Sequence, residues 1–256
     1  MTIFRTFQAV FFPLLLFLLC AVFALPEVYG KIQHDAEHGD GDAQYQLAIM
    51  HFQGVGADQD DDAGLRWLVA AADNGQPDAQ ILLGLSHLEG EGVPKDPDKG
   101  FALIAAAADA GHGHAQSLLA NFYGKGLGVE QDEDKFREWT LKAAENGDAI
   151  SQYHAALMSM TGRMAPKSLI EAVYWLKRSA EQGYLDAMVT LGEVSWAGVG
   201  SQPDLVEACK WFAIAGSQGH PKGNYLLMQV AQEMTEAQMD EAARRGNRWM
   251  ERKGWE

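Results

Sequence analysis

Apolar and small residues return along this chain with a period of 36. Leu47, Leu83, Leu119, Ala155 and Leu191 form one series, and Ala43, Ala79, Ala115, Ser151, Ala187 and Gly223 form another. Two glycine series share the period: Gly39, Gly75, Gly111, Gly147, Gly183 and Gly219, then Gly54, Gly90, Gly126, Gly162 and Gly198. A fifth register is large: Trp67, Leu103, Trp139, Trp175 and Trp211. Five registers with one period mark an array of repeats, in which each unit buries its apolar faces only by lying against its neighbours.

Within a unit the spacing is helical. Ala43 and Leu47, four apart, share one helix face. The first helix (helix A) of the first unit is therefore expected to begin near Asp42 as N-cap and to stop at Gly54, which accepts a left-handed conformation. A polar loop follows. The second helix (helix B) opens at a cap that also recurs: Asp60, Asp96, Asp132, Ser168 and Asp204. Ser168 with Glu171, and Asp204 with Glu207, read as capping boxes, and Pro97 suits a first helical position. Helix B carries the tryptophan series and the pairs Ala71–Ala72, Ala107–Ala108 and Ala143–Ala144, and ends at the Gly75 series. Short turns make neighbouring helices antiparallel.

Small residues let the backbones approach, and the large series is expected to fill the gaps between hairpins. A buried aromatic hides about 150–250 Å², roughly 4–6 kcal/mol before entropy at about 25 cal/mol per Å². Truncating Trp139 is thus expected to cost about 3–5 kcal/mol. The units run 43–78, 79–114, 115–150, 151–186 and 187–222, after a lead-in at 25–42 and before capping helices at 223–256. In the cap, Thr235 and Gln238 form a capping box. Acids early and Arg248, Arg252 and Lys253 late suit the dipole of one long amphipathic helix ending at Lys253.

These motifs resemble the Sel-like repeat (SLR, "Sel-one-like") family, a relative of the tetratricopeptide repeat. The second unit carries the likeness best: Ala79, Leu83, Gly84, Gly90, Gly92, Val93, Pro94, Asp96, Lys99, Ala107, Ala108 and Gly111. It covers Ala43 to Lys222. The fourth unit departs, with Gly162-Arg163-Met164 in the loop and Ala155 in place of leucine. The resemblance implies an all-α fold, a right-handed superhelical solenoid of antiparallel helix pairs whose A helices line a concave groove. It also implies an adaptor or scaffold, many relatives being envelope proteins. Some cysteine-rich relatives have been described as β-lactamase-like.

Composition adds a compartment. Only Arg5 is charged before Glu27, and an apolar run extends from Ala9 to Leu25, with Val22 and Ala24 small enough for signal peptidase. Residues 1–24 read as a secretory signal cleaved near Ala24, giving an exported, periplasmic or secreted protein with no membrane contact after cleavage. An uncleaved anchor is the alternative. Cys20 leaves with the signal, so Cys209 has no disulfide partner and stability must come from packing. A net charge of −15 makes nucleic acid a poor partner.

Catalytic signatures are missing. No serine is followed three residues later by lysine, no His-Glu-x-x-His occurs, and the Gly-x-Gly loops follow helices, where they act as stops. No enzyme activity and no cofactor are expected; a cell-wall-related or β-lactamase-like hydrolase is the alternative. His34 and His38 lie four apart among acids, a spacing that suits zinc or copper on a helix, yet they sit in the lead-in and no metal site is assigned. The acids Asp58, Asp60, Asp61 and Asp62 lack the glycine and closing glutamate of a calcium loop. His51 and His87 read as core-edge fillers, His112 and His114 as solvent-facing, and Arg244, Arg245, Arg248 and Arg252 as a solvated face.

By alignment with the tetratricopeptide relative, the groove should present Tyr45, Ile49, Phe52, Ile81, Leu85, Tyr153, Leu157, Val189, Trp196 and Tyr225. This much apolar surface suits a protein or peptide partner, extended or helical. The competing reading of each position is packing against a neighbouring hairpin.

Overall fold

The computed structural model describes residues 25–162, 166–199 and 202–255. The signal-peptide reading of residues 1–24, and Arg163 and Met164 of the atypical loop, lie outside them. Thirteen α-helices and no strand occur among the described residues. The ten repeat helices are each 13 residues long, so one period is two equal helices and two short connections. The chain divides into two compact units after Gln131, inside the third repeat.

The first unit holds α1 (Leu25–Glu37), α2 (Gly41–Gln53), α3 (Asp61–Asp73), α4 (Pro77–Glu89), α5 (Pro97–Asp109) and α6 (Gly113–Lys125). Each helix packs on the next in sequence. The second unit holds α7 (Glu133–Glu145), α8 (Ala149–Thr161), α9 (Leu169–Glu181), α10 (Leu185–Ala197), α11 (Leu205–Ser217), α12 (Gly223–Ala231) and α13 (Glu236–Lys253). It follows the same rule through α12, whereas the long α13 lies against α11. Consecutive helix pairs thus pack as in a tetratricopeptide-like solenoid, the fold expected.

Helix starts follow the cap chemistry. Asp60, Asp96, Asp132, Ser168 and Asp204 each accept the N3 backbone N–H of their B helix. Two expectations need correction. The cap of α2 is Asp40, whose carboxylate accepts from Ala43 N, and Asp42 falls in the first turn. Among the described residues only Thr235 with Gln238 forms a reciprocal capping box. Glu207, expected to close another, accepts from the Trp211 indole at 2.8 Å and pairs with Lys210. The Gly54 series ends the A helices in the left-handed region throughout.

The core register lies one residue beyond the tryptophan series. Leu68, Ile104, Thr140, Leu176 and Phe212 are all at most 2% exposed. Of the large series, Trp175 and Trp211 are buried, while Trp67, Leu103 and Trp139 are half-buried. Trp139 lies at the surface edge with Lys142 Nζ 4.1 Å from its ring centroid, so truncating it removes less than a full core contact.

A second 36-residue register, absent from the sequence reading, ties hairpin to hairpin. Gln44, Gln80, Gln116 and Gln152 donate side-chain amide N–H groups to the carbonyls of Ala36, Ala72, Ala108 and Ala144, in the last turn of the preceding helix, at 3.0–3.2 Å. Asn74 and Gln182 return the bond to Gln44 and Gln152. Each amide is a second donor to a last-turn carbonyl that already accepts the N–H of the glycine three residues on, Gly39, Gly75, Gly111 or Gly147. Met188 takes the place in the fifth repeat, packed in an apolar cluster. In the second repeat, α4 and α5 touch backbone to backbone: a Cβ on Gly100 would lie 2.6 Å from the Gly84 carbonyl oxygen, so only glycine fits.

Candidate functional site

The A helices of the second unit frame a groove of about 930 Å³. One wall is Tyr153, Leu157 and Met160 of α8. The other is Val189, Thr190 and Glu193 of α10, and the rim is Tyr184, Leu185 and Asp186 with the turn from Gly219 to Lys222. Helical spacing explains the second wall: 186, 189, 190 and 193 fall on one face of α10.

One corner of this groove is built with particular care. Tyr153 and Tyr184 place their rings 5.3 Å apart at 53°. Tyr184 holds the N-cap position of α10, where Asp40, Gln76 and Asp148 cap their helices with a side-chain bond. Tyr184 makes no such bond. Its phenol instead feels the Asp186 carboxylate. Burial foremost, then the charge of Asp186, pushes this phenol up to about 12. His220 completes the corner. Its Nδ1 accepts the Lys222 backbone N–H at 3.2 Å, so Nε2 carries the proton and donates to Asp186 Oδ1 at 3.0 Å. Asp186 is held by His220 and still half-exposed.

The first unit carries a related ladder. Gln76 Nε2 donates to Asp42 at 3.4 Å and His112 lies 3.5 Å from Asp78, so the residue before each A helix reaches back to a first-turn carboxylate of the previous one. His112 is therefore a partner of Asp78, not simply a solvent-facing side chain.

The structure brings three of the ten expected groove residues together, Tyr153, Leu157 and Val189, though Val189 is only 4% exposed and packs in the core as well. In the first unit, Tyr45, Phe52 and Ile81 are buried in the hairpins, and Ile49 and Leu85 are half-buried. Burial, with Asp78 adding to it, pushes the Tyr45 phenol well above its ordinary range. Trp196 is half-buried, edge-on to Phe212 at 6.2 Å, and donates to Glu233 at 3.1 Å. Tyr225 is 61% exposed on α12. Sequence reasoning missed Tyr184, Asp186, His220 and Lys222. The available signal was Tyr184, an aromatic at a cap position that holds Asp40, Gln76, His112 and Asp148 in the other repeats.

Other candidates hold less chemistry. His34 and His38 stack at 4.1 Å between centroids, but His38 Nδ1 is engaged by the His34 carbonyl. Among the described residues no group of three or more His, Cys, Asp or Glu is placed to hold a metal ion. Arg244 and Arg245 share Glu241, whose carboxyl they hold below its usual range. Cys209 is buried, which raises its thiol. Among the described residues no helix is long and apolar enough to cross a membrane.

Comparison with known proteins agrees with this architecture. The family model "Sel1 repeat" matches residues 41–76, 77–112, 113–148, 149–184 and 185–220. Its windows open two residues before the alanine series. A protective antigen of uropathogenic Escherichia coli that displays an SLR fold is 25% identical with a TM-score of 0.58. The match covers 88% of this chain but only 56% of the antigen. A Sel1 repeat protein from Oxalobacter formigenes is 22% identical with a TM-score of 0.67, over 87% of this chain and 99% of that one. No curated protein matches the sequence.

Proposed function

The chain belongs to the Sel1 repeat family, and from that premise we propose that it is an exported scaffold that holds a protein or peptide partner in the groove between α8 and α10. Sel1 repeat proteins are in general protein-interaction scaffolds rather than enzymes. The observation that carries the reading is the groove itself: half-buried Tyr153, Leu157 and Met160 on one wall, and a polar rim at Tyr184, Asp186 and His220. A concave apolar surface with a few fixed polar groups is what a recognition site needs. Export rests on the apolar run from Ala9 to Leu25 ending in Val22-x-Ala24.

Cross-linking and pull-down from an envelope extract tests the binding, with Leu157→Asp as control. Groove recognition requires a partner that wild type retains and Leu157→Asp loses while its helical dichroism stays unchanged. Equal capture by both proteins defeats it. N-terminal sequencing of the exported protein tests cleavage near Ala24; an intact Met1 end means an anchor instead.

A further inference from the structure

We propose that the corner formed by Tyr153, Tyr184 and Asp186 is a subsite for a lysine or arginine side chain of the partner, so that the groove selects basic, extended peptides. This rests on the groove being the partner site. Three observations carry it. The first is the pair of tyrosine rings 5.3 Å apart, which presents π-faces to a cation. The second is Asp186, oriented by His220 Nε2 at 3.0 Å, with half its surface left open. A carboxylate oriented in advance loses little freedom on binding, so its attraction is kept. The third is the N-cap position: Tyr184, like His112, makes no side-chain capping bond, and its ring is left to stack on Tyr153.

The charges facing the groove agree. Asp186 and Glu193 of α10 share the groove lining with His220 and Lys222. His220 accepts the Lys222 N–H on Nδ1, an arrangement the neutral imidazole satisfies, so it donates to Asp186 without cancelling its charge. Lys222 is exposed and free to turn to solvent. Asp186 and Glu193 are seven residues apart on one helix face, about 10 Å along the axis. That is the length of roughly three residues of extended chain. Two basic residues three positions apart, with apolar residues between them over Leu157 and Val189, match this spacing.

Selection from an immobilised random heptapeptide library tests the inference, using wild type, Asp186→Asn and Leu157→Asp. Asp186→Asn keeps the shape and the hydrogen-bond acceptor and removes the charge. The expected result is enrichment of lysine or arginine, three positions apart, by wild type and loss of that enrichment by Asp186→Asn. A selected peptide should then weaken about tenfold when its lysine becomes norleucine, as read by fluorescence anisotropy. Binders that depend on Leu157 but show no basic enrichment overturn the cationic subsite and leave the groove standing. Absence of any binder sensitive to Leu157→Asp overturns both.

Discussion

Tyr45 in the first unit and Tyr153 in the second stand at the same position of the repeat, three periods apart. Tyr45 is 9% exposed, packed with Ala48, Phe52, Leu68 and Leu83. Tyr153 is half-buried and forms the wall of an open groove. The position itself is equal in both. What differs is the residue that begins the next A helix: Gln76 turns onto its own helix to cap Ala79 N, and Tyr184 stacks on Tyr153. Charge separates the units as well. Residues 25–131 carry 17 carboxylates against 5 lysines and arginines, and residues 132–256 carry 18 against 14. A repeat register therefore fixes where a side chain starts, and the next repeat decides whether it becomes core or binding surface.

The largest expected effect breaks or confirms that contrast directly. Tyr45→Ala should destabilise by about 3–5 kcal/mol, as truncation of a buried aromatic does. Tyr153→Ala should cost about 1 kcal/mol or less. Hydrogen exchange resolved along the chain is the suitable measurement, because a repeat array need not unfold in one step. Similar losses at both positions would erase the distinction between core and groove.

A smaller contrast tests the corrected core register. Leu176→Ala should cost about 2–5 kcal/mol, and Trp139→Ala, half-buried under Lys142, about 1–2 kcal/mol. Urea denaturation of each variant decides; a larger loss for Trp139→Ala would return the core to the tryptophan series. In the same register Thr140 is 1% exposed, and its buried hydroxyl has no hydrogen-bond partner among the described residues. Thr140→Val should therefore stabilise by about 1 kcal/mol, seen as a raised urea midpoint with unchanged slope.

Much of the fold was legible because it is written five times. Glycines at the A-helix ends and acids at the B-helix starts have local causes, and each recurs with the period. The tryptophan register misled because size and periodicity do not report the angle around a helix. One residue is about 100°, enough to move a ring from the interior to the edge. The glutamine series has the same period but was hidden by its polarity, since a buried amide looks exposed until its carbonyl partner is known. The groove was least legible. Family alignment nominated Tyr45 and Tyr153 alike, and only the side chain arriving from the next turn separates them.

The smallest expected effect reads that arriving side chain alone. Burial, then Asp186, raises the Tyr184 phenol from 10.0 to about 12. A phenol raised by folding favours the folded state while it is protonated. Its contribution is complete below pH 10 and is lost as pH climbs toward 12. The difference in tyrosinate absorbance between wild type and Tyr184→Phe should accordingly show one phenol titrating near the upper end of that window. Asp186→Asn removes the charge that adds to burial, so the same phenol should titrate earlier. Should Asp186→Asn leave the titration unmoved, the hydroxyl and the carboxylate are not coupled. Tyr184 would then be only a packing residue against Tyr153, and the second unit's groove would lose the phenol–carboxylate coupling assigned to it.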